Sequence, residues 1–143
     1  MHFEVLIEDR SGSIALDVVL EKILGANGQA HSWRLHAYKG VGRLPANLNA
    51  APNPRKRLLL NHLPRLLRGY GRSLQPGRDC VLVVVDLDTQ DCIKLKQELL
   101  GVLQACNPRP TALFRIAVEE GEAWLLGDRD AVKAAIPTRR KRF

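Results

Sequence analysis

The stretch Val81-Leu-Val-Val-Val-Asp-Leu-Asp-Thr-Gln-Asp91 decides the fold. Five apolar residues, four of them Val, run without polar interruption into Asp86 and Asp88. A β-branched run with no alternation is the pattern of a strand buried on both faces, as inside a parallel sheet. In open α/β sheets, ligands bind outside the carboxyl ends of the strands. Asp86 and Asp88 fall at such an end, and on an extended strand their i, i+2 spacing sends both side chains the same way. Like charges held that close repel unless a cation lies between them. The pair is therefore the first candidate site.

Working outward, Asp91 to Cys106 reads as a helix, with Ile93, Leu95, Leu99, Leu100, Val102 and Leu103 as its apolar residues and Asp91 as its cap. Asn107-Pro-Arg-Pro breaks it, and Thr111 to Val118 reads as another strand, followed by Glu119, Glu120 and Glu122. Ala123-Trp-Leu-Leu starts a short helical segment, and Asp128 caps a further turn or helix ended by Pro137. Upstream, Lys56 to Tyr70 reads as a helix with its leucines inward, basic residues outward, and Pro64 imposing a kink or a split into two short helices.

The chain begins with an apolar run, Phe3 to Ile7, that ends at Glu8 and reads as a first strand. Ser11 or Ser13 is a plausible N-cap for a helix over Ile14 to Leu24, in which Ile14, Val18, Leu20, Ile23 and Leu24 share one face. Gly25-Ala-Asn-Gly28 stops it. His31 to Tyr38 alternates loosely and reads as a second strand near a sheet edge. The β-α-β-α-β-α-β order predicts an α/β fold: three layers, with a mainly parallel central sheet of about four strands and helices on both faces.

Apolar residues make up 45% and charged residues 26%, as expected of one globular domain with its own core. No apolar run approaches the roughly 18 residues of a membrane span, so no membrane partner is expected. The N-terminal apolar stretch carries acids and no basic leader, unlike a secretory signal. Cys80, Cys92 and Cys106 form no CxxC pair and read as reduced thiols of a cytoplasmic protein. His2, His31, His36 and His62 lack zinc-ligand spacing.

Net charge is +7, from 22 basic and 15 acidic residues, an excess that favours a polyanionic partner such as nucleic acid. Arg55, Lys56, Arg57, Arg65, Arg68 and Arg72 cluster in one stretch, and Arg139 to Arg142 close the chain as a basic tail. Lys39 and Arg43 flank two glycines in Lys39-Gly-Val-Gly-Arg43, which lacks the GKS/T ending of a P-loop and reads first as a plain loop. Lys39, Arg43, Arg55 and Lys56 are candidates for contacts that position a phosphate backbone without reading sequence. Aromatics interleaved with the basic residues are few (Trp33, Tyr38 and Tyr70), so no stacking platform for single strands is expected.

Three of the four strands end in acid: Glu8, Asp86 with Asp88, and Glu119 with Glu120 and Glu122. In a parallel sheet those ends share one edge. Each acid also has a plain structural role open to it: helix caps for Asp86 and Asp88, a salt bridge to Arg10 or Arg115 for Glu8, and a place beside a helix dipole for Glu122. Trp124 and Leu125 read as core anchors, and Asp128 as a cap. Converging carboxylates in a basic protein nonetheless favour a divalent-metal site.

These motifs resemble the Toprim domain of topoisomerases, primases and OLD-type nucleases. More closely, Leu6-Ile-Glu8-Asp, Val85-Asp-Leu-Asp88 and Ile116-Ala-Val-Glu-Glu-Gly-Glu-Ala-Trp-Leu-Leu-Gly-Asp128 are similar to a Toprim-like family, domain of unknown function 4276. The resemblance spans residues 3–137 and leaves 138–143 as a disordered basic tail. It implies a Toprim-like, Rossmann-like fold in which Glu8, Asp86 and Asp88 hold one or two Mg²⁺ (or Mn²⁺) ions and act in catalysis, with Glu122 completing the metal site. It further implies a nuclease or nuclease subunit, possible partnership with an ABC-type ATPase, and a role in phage defence. Two departures stand out: Asp9-Arg-Ser-Gly12 replaces the glycine usual after the Toprim Glu, as a longer turn, and the chain stops sooner than expected after Pro137.

Three functions follow as expectations. The first is Mg²⁺-dependent phosphodiester cleavage, in which metal ions stabilise attacking and leaving oxygens. The second is a non-catalytic Toprim-like module that binds a partner ATPase, nucleic acid or both. The third, a phosphatase or phosphotransferase with Asp86 as nucleophile, lacks the other motifs of that chemistry.

Overall fold

The valine run forms an inner strand of a four-stranded sheet in the computed structural model, which describes residues 1–119 and 127–135. The strands are β1 (His2–Ile7), β2 (Ser32–Ala37), β3 (Asp79–Asp86) and β4 (Ala112–Ala117). The helices are α1 (Arg10–Leu24), α2 (Leu59–Ser73), α3 (Cys92–Gln104) and α4 (Arg129–Ala135). All strand pairs are parallel, in the order β2-β1-β3-β4. The expected α/β class and parallel sheet are thus present, and β2 is at an edge. From β1 the chain moves outward to β2, then crosses back over β1 to enter β3. The direction of winding reverses between β1 and β3, and that reversal is the topological switch point at which such folds place ligands.

The unbroken valine run has two faces to bury. Val81, Val83 and Val85 point to one side, where they meet Leu6, the α2 leucines Leu59, Leu60, Leu63 and Leu67, and Leu95, Leu99 and Val102 of α3. On the other side Leu82 packs with Val5, Trp33, Phe3 and Leu35 against Leu16, Leu20 and Leu24 of α1. Each fully buried aliphatic side chain contributes about 1.5–3 kcal/mol over an exposed one. A polar residue at either parity of β3 would lose one of these contacts, which is why its central run shows no alternation.

Several boundaries differ from expectation for identifiable reasons. α1 starts at Arg10, not Ile14, because Asp9 is the N-cap: its carboxylate accepts the Gly12 N–H, and Ser11 donates its hydroxyl to Asp9 at 3.0 Å. Its inward residues are Leu16, Leu20 and Leu24, while Ile14, Val18 and Ile23 face outward at 63%, 50% and 72% exposure. α2 runs unbroken from Leu59 to Ser73 through a buried Pro64. The proline forfeits one hydrogen bond to the preceding turn, and the leucines before and after it hold the helix in one piece. Further along α2, a Cβ on Gly71 would come within 1.9 Å of the Pro108 carbonyl oxygen, so glycine permits the helix backbone to touch the 107–110 loop.

The expected caps are present on α3 and α4: Asp91 accepts from the Lys94 N–H at 2.8 Å and Asp128 from the Ala131 N–H at 3.0 Å. Glu120, Glu122, the Ala123-Trp-Leu-Leu segment and the 138–143 tail lie outside the described residues.

Candidate functional site

Glu8 follows β1 directly, and its position is set from both sides of the chain. Its carbonyl accepts the Gly40 N–H at 2.8 Å, and the preceding Ile7 carbonyl accepts the Tyr38 N–H at 2.9 Å. On its other side Asp9 caps α1 at once. The expected longer turn over Asp9–Gly12 is therefore not one: Arg10 to Gly12 are already the first turn of the helix. This departure from the Toprim pattern leaves Glu8 at the strand end, facing β3.

Asp86 is the last residue of β3, the strand next to β1. Its backbone N–H approaches the Glu8 carboxylate at 3.5 Å, and the two side chains share a hydrogen bond. The consequence is visible in Glu8, whose pKa is pushed up to about 7. Burial is the largest cause, followed by the hydrogen bond and charge of Asp86, with a smaller push from Asp9.

Asp88 reaches the same cleft by a different route. The expectation that it points with Asp86 along an extended strand is not met, because β3 ends at Asp86. Leu87 still bonds to the Ala117 carbonyl at 2.8 Å and is buried, and Asp88 then turns into left-handed backbone at φ 57°. Asp tolerates that region better than most residues. From there Asp88 lines a cleft of about 380 Å³ together with Glu8, Asp86, Thr89, Val41 and Glu119, which follows β4. Four acids from three strand ends thus border one opening. As they stand, no three acidic, histidine or cysteine side chains among the described residues are near enough to grip one ion. Glu8 and Asp86 are the pair in contact; Asp88 and Glu119 stand further out.

None of the predicted phosphate contacts lines this opening, although Val41, between Lys39 and Arg43, does. The Lys39 N–H donates to the Arg57 carbonyl at 2.7 Å, and Leu59 and Leu60 donate to Gly40 and Val41 at 2.9 and 2.8 Å. These bonds clamp the 39–43 loop onto the start of α2. Gly42, at φ 69°, has no room for a Cβ, which would fall 2.2 Å from Asn61 Oδ1; that oxygen also accepts the Arg43 N–H at 3.2 Å. Arg55 and Lys56 belong to a turn closed by Asn53, just before Arg57. Lys39, Arg43, Arg55 and Lys56 are all exposed and none has an ion-pair partner among the described residues.

One polar cluster was not anticipated. Glu4, within β1, is only 8% exposed, and its two oxygens meet His36 Nε2 and, at 3.2 Å, His2 Nε2. Burial alone would raise its pKa, but the hydrogen bonds and charges of His36 and His2 outweigh it and the net shift is downward. His2 Nδ1 in turn meets Ser32 Oγ at 2.8 Å. The signal in the sequence was a Glu inside an otherwise apolar strand; its partners follow only from the β1–β2 register, which sets Leu6 beside His36 and His2 beside Ser32.

The carboxylates are hard oxygen donors suited to a divalent cation that keeps several of its waters. The pair also carries a proton that titrates near neutrality, as general acid–base work requires. No protein-family model matches this chain, and neither a curated protein nor a solved structure gives a significant match to it.

Proposed function

We propose that the chain is a Mg²⁺- or Mn²⁺-dependent nuclease of Toprim type, or a subunit of one, acting on nucleic-acid phosphodiesters. The observation that carries the reading is the contact between Glu8 and Asp86 at the carboxyl ends of adjacent parallel strands, at the point where the sheet reverses direction. The donor set fits a hard cation. Two carboxyl groups in contact are a donor pair that a divalent cation would hold together, and Asp88 and Glu119 border the same opening. Glu8 and Asp86 would hold the ion directly, with water filling its other positions. When bound, the ion would neutralise charge building on the phosphoryl oxygens.

The protein's own groups supply the rest. Lys39 and Arg43, on the loop whose Val41 borders the opening, and Arg55 and Lys56, in the turn before α2, would supply the positive charge that holds a phosphate backbone. Asp88, on its turn, is placed to orient a water beside the scissile phosphate. The Toprim resemblance and the encoded partnership with an ABC-type ATPase in phage defence are part of the same proposal. Purified protein should cut plasmid or oligonucleotide with Mg²⁺ or Mn²⁺ and not with EDTA, and Asp86→Ala should abolish cutting. Cleavage that persists in Asp86→Ala overturns the assignment.

A second reading is favoured by one observation: no three ligating side chains among the described residues are already gathered around one point. It is a non-catalytic module that binds nucleic acid or an ATPase partner. Calorimetry separates the two, since the module takes up no metal at millimolar concentration.

A further inference from the structure

A second groove, of about 510 Å³, runs along α2 and is lined by His62, Arg65, Leu66, Gly69, Tyr70 and Ser73. Their spacing puts them on one stripe of the helix. α1 packs on the Trp33 and Leu35 face of β2. On the opposite face, which carries Arg34 and His36, no helix is seated among the described residues, and Arg34 is exposed. Tyr70 bridges the interval between α2 and that open face. It is half-buried, and its hydroxyl is pushed up first by burial, then by the charges of Glu4 and Tyr38, while Arg34 acts in the opposite direction. Tyr38, which follows β2, tilts its ring against His62 with centroids 6.2 Å apart.

The charge of this groove is positive. Arg34 and Arg65 have no ion-pair partner among the described residues, and the one acid, Glu4, is already taken up by His2 and His36. The groove also has a direction. His62, at one end of the stripe, meets the ring of Tyr38, whose N–H is bonded to the residue before Glu8 and which precedes Lys39. Aromatic residues far apart in the sequence, too few to form a platform in linear order, are thus brought together beside arginines.

We propose that this groove binds a single strand of nucleic acid, with bases against Tyr38 and Tyr70 and phosphates on Arg34 and Arg65, and leads it to the Glu8–Asp86 cleft. Stacking on aromatic faces with arginines tracking the backbone is how sequence-tolerant single-strand sites work. A base must be unpaired to lay its face on Tyr38 or Tyr70, so a duplex is not expected to fit this mode. What the strand is delivered for rests on the nuclease reading; that it binds does not.

Gly69 provides the test. A Cβ there meets nothing within 4 Å, and every residue except proline is a better helix former, so substitutions other than proline fill the groove without endangering the fold. Fluorescence anisotropy with labelled oligothymidylate, in EDTA, should show salt-dependent binding. Gly69→Glu should weaken it by about tenfold or more, Tyr70→Ala by roughly tenfold, and Gly101→Ala, on α3 and outside the groove, should bind like the parent. The same sequence as a duplex should bind more weakly. No binding of the single strand, a preference for duplex, or undiminished binding by Gly69→Glu overturns the inference. Because metal is absent, binding without later cleavage counts against the nuclease reading alone.

Discussion

Replacing Glu8 by Gln should stabilise the protein at pH 8 and leave it unchanged at pH 4. Gln keeps the shape and can still donate to Asp86, but it carries no charge. In the wild type, Glu8 binds its proton more tightly in the fold than in the unfolded chain, its pKa rising from 4.5 to about 7. A raised folded-state pKa gives stability that is fully present below pH 4.5 and is lost as pH climbs through 7. Each tenfold in proton affinity is about 1.4 kcal/mol, so a dry pair would lose a little over ~3 kcal/mol. Glu8 is partly open to solvent, which screens the repulsion, and about 1–2 kcal/mol is the expected loss. Urea denaturation at the two pH values measures it, and at pH 8 Glu8→Gln should also melt roughly 3–8 °C higher. If millimolar Mg²⁺ is added at pH 8, the wild type should regain part of the gap and the variant should not. An equal gain at both pH values, or a loss at pH 8, would refute the reasoning, since neither follows from like-charge repulsion.

Other outcomes can be checked on the same footing. Asp88→Gly should raise stability by up to about 1 kcal/mol by releasing left-handed backbone, yet reduce metal-dependent cleavage; equal loss of both would assign Asp88 a structural role instead. Gly71→Ala should destabilise by about 2 kcal/mol or more in urea, although alanine favours helix, because its Cβ meets the Pro108 carbonyl. Val83→Ala should cost about 2 kcal/mol with no change in metal binding by calorimetry. Asp9→Ala should cost about 1 kcal/mol through the lost cap of α1, and circular dichroism should show the helix shortened, not shifted to Ser11.

The sheet was legible in the sequence because β3 has two buried faces and the other strands end in plain turn and cap residues. The site was legible in part. Glu8 and Asp86 follow from strand ends on one edge, and parallel pairing does bring them together. Asp88 did not follow, since nothing in Asp86-Leu-Asp88 reveals that β3 stops at its first acid and that the second sits in left-handed backbone. The outward face of α1 was misread for a different reason. Ile14, Val18 and Ile23 are spaced as an apolar stripe, and leucine content alone distinguishes the stripe that is buried. The His2–Glu4–His36 cluster depends on strand register, a long-range property that no local spacing carries.

The unequal packing of the two sheet faces has a dynamic consequence. α2 and α3 share a broad core on one side, whereas α1 is held on the other by Leu16, Leu20 and Leu24 against a few strand residues. Segments with fewer buried contacts open at lower free energy than the rest of a domain. α1 should thus detach before α2 and α3 in local unfolding, and its amides should exchange with solvent well before those of α2. Glu8 is joined to that helix through a single residue, Asp9, while Asp86 ends the strand buried on both faces. One carboxylate of the pair is therefore anchored to the more firmly packed side of the sheet and the other borders the less firmly packed one, so the distance between them is set by how firmly one helix stays seated.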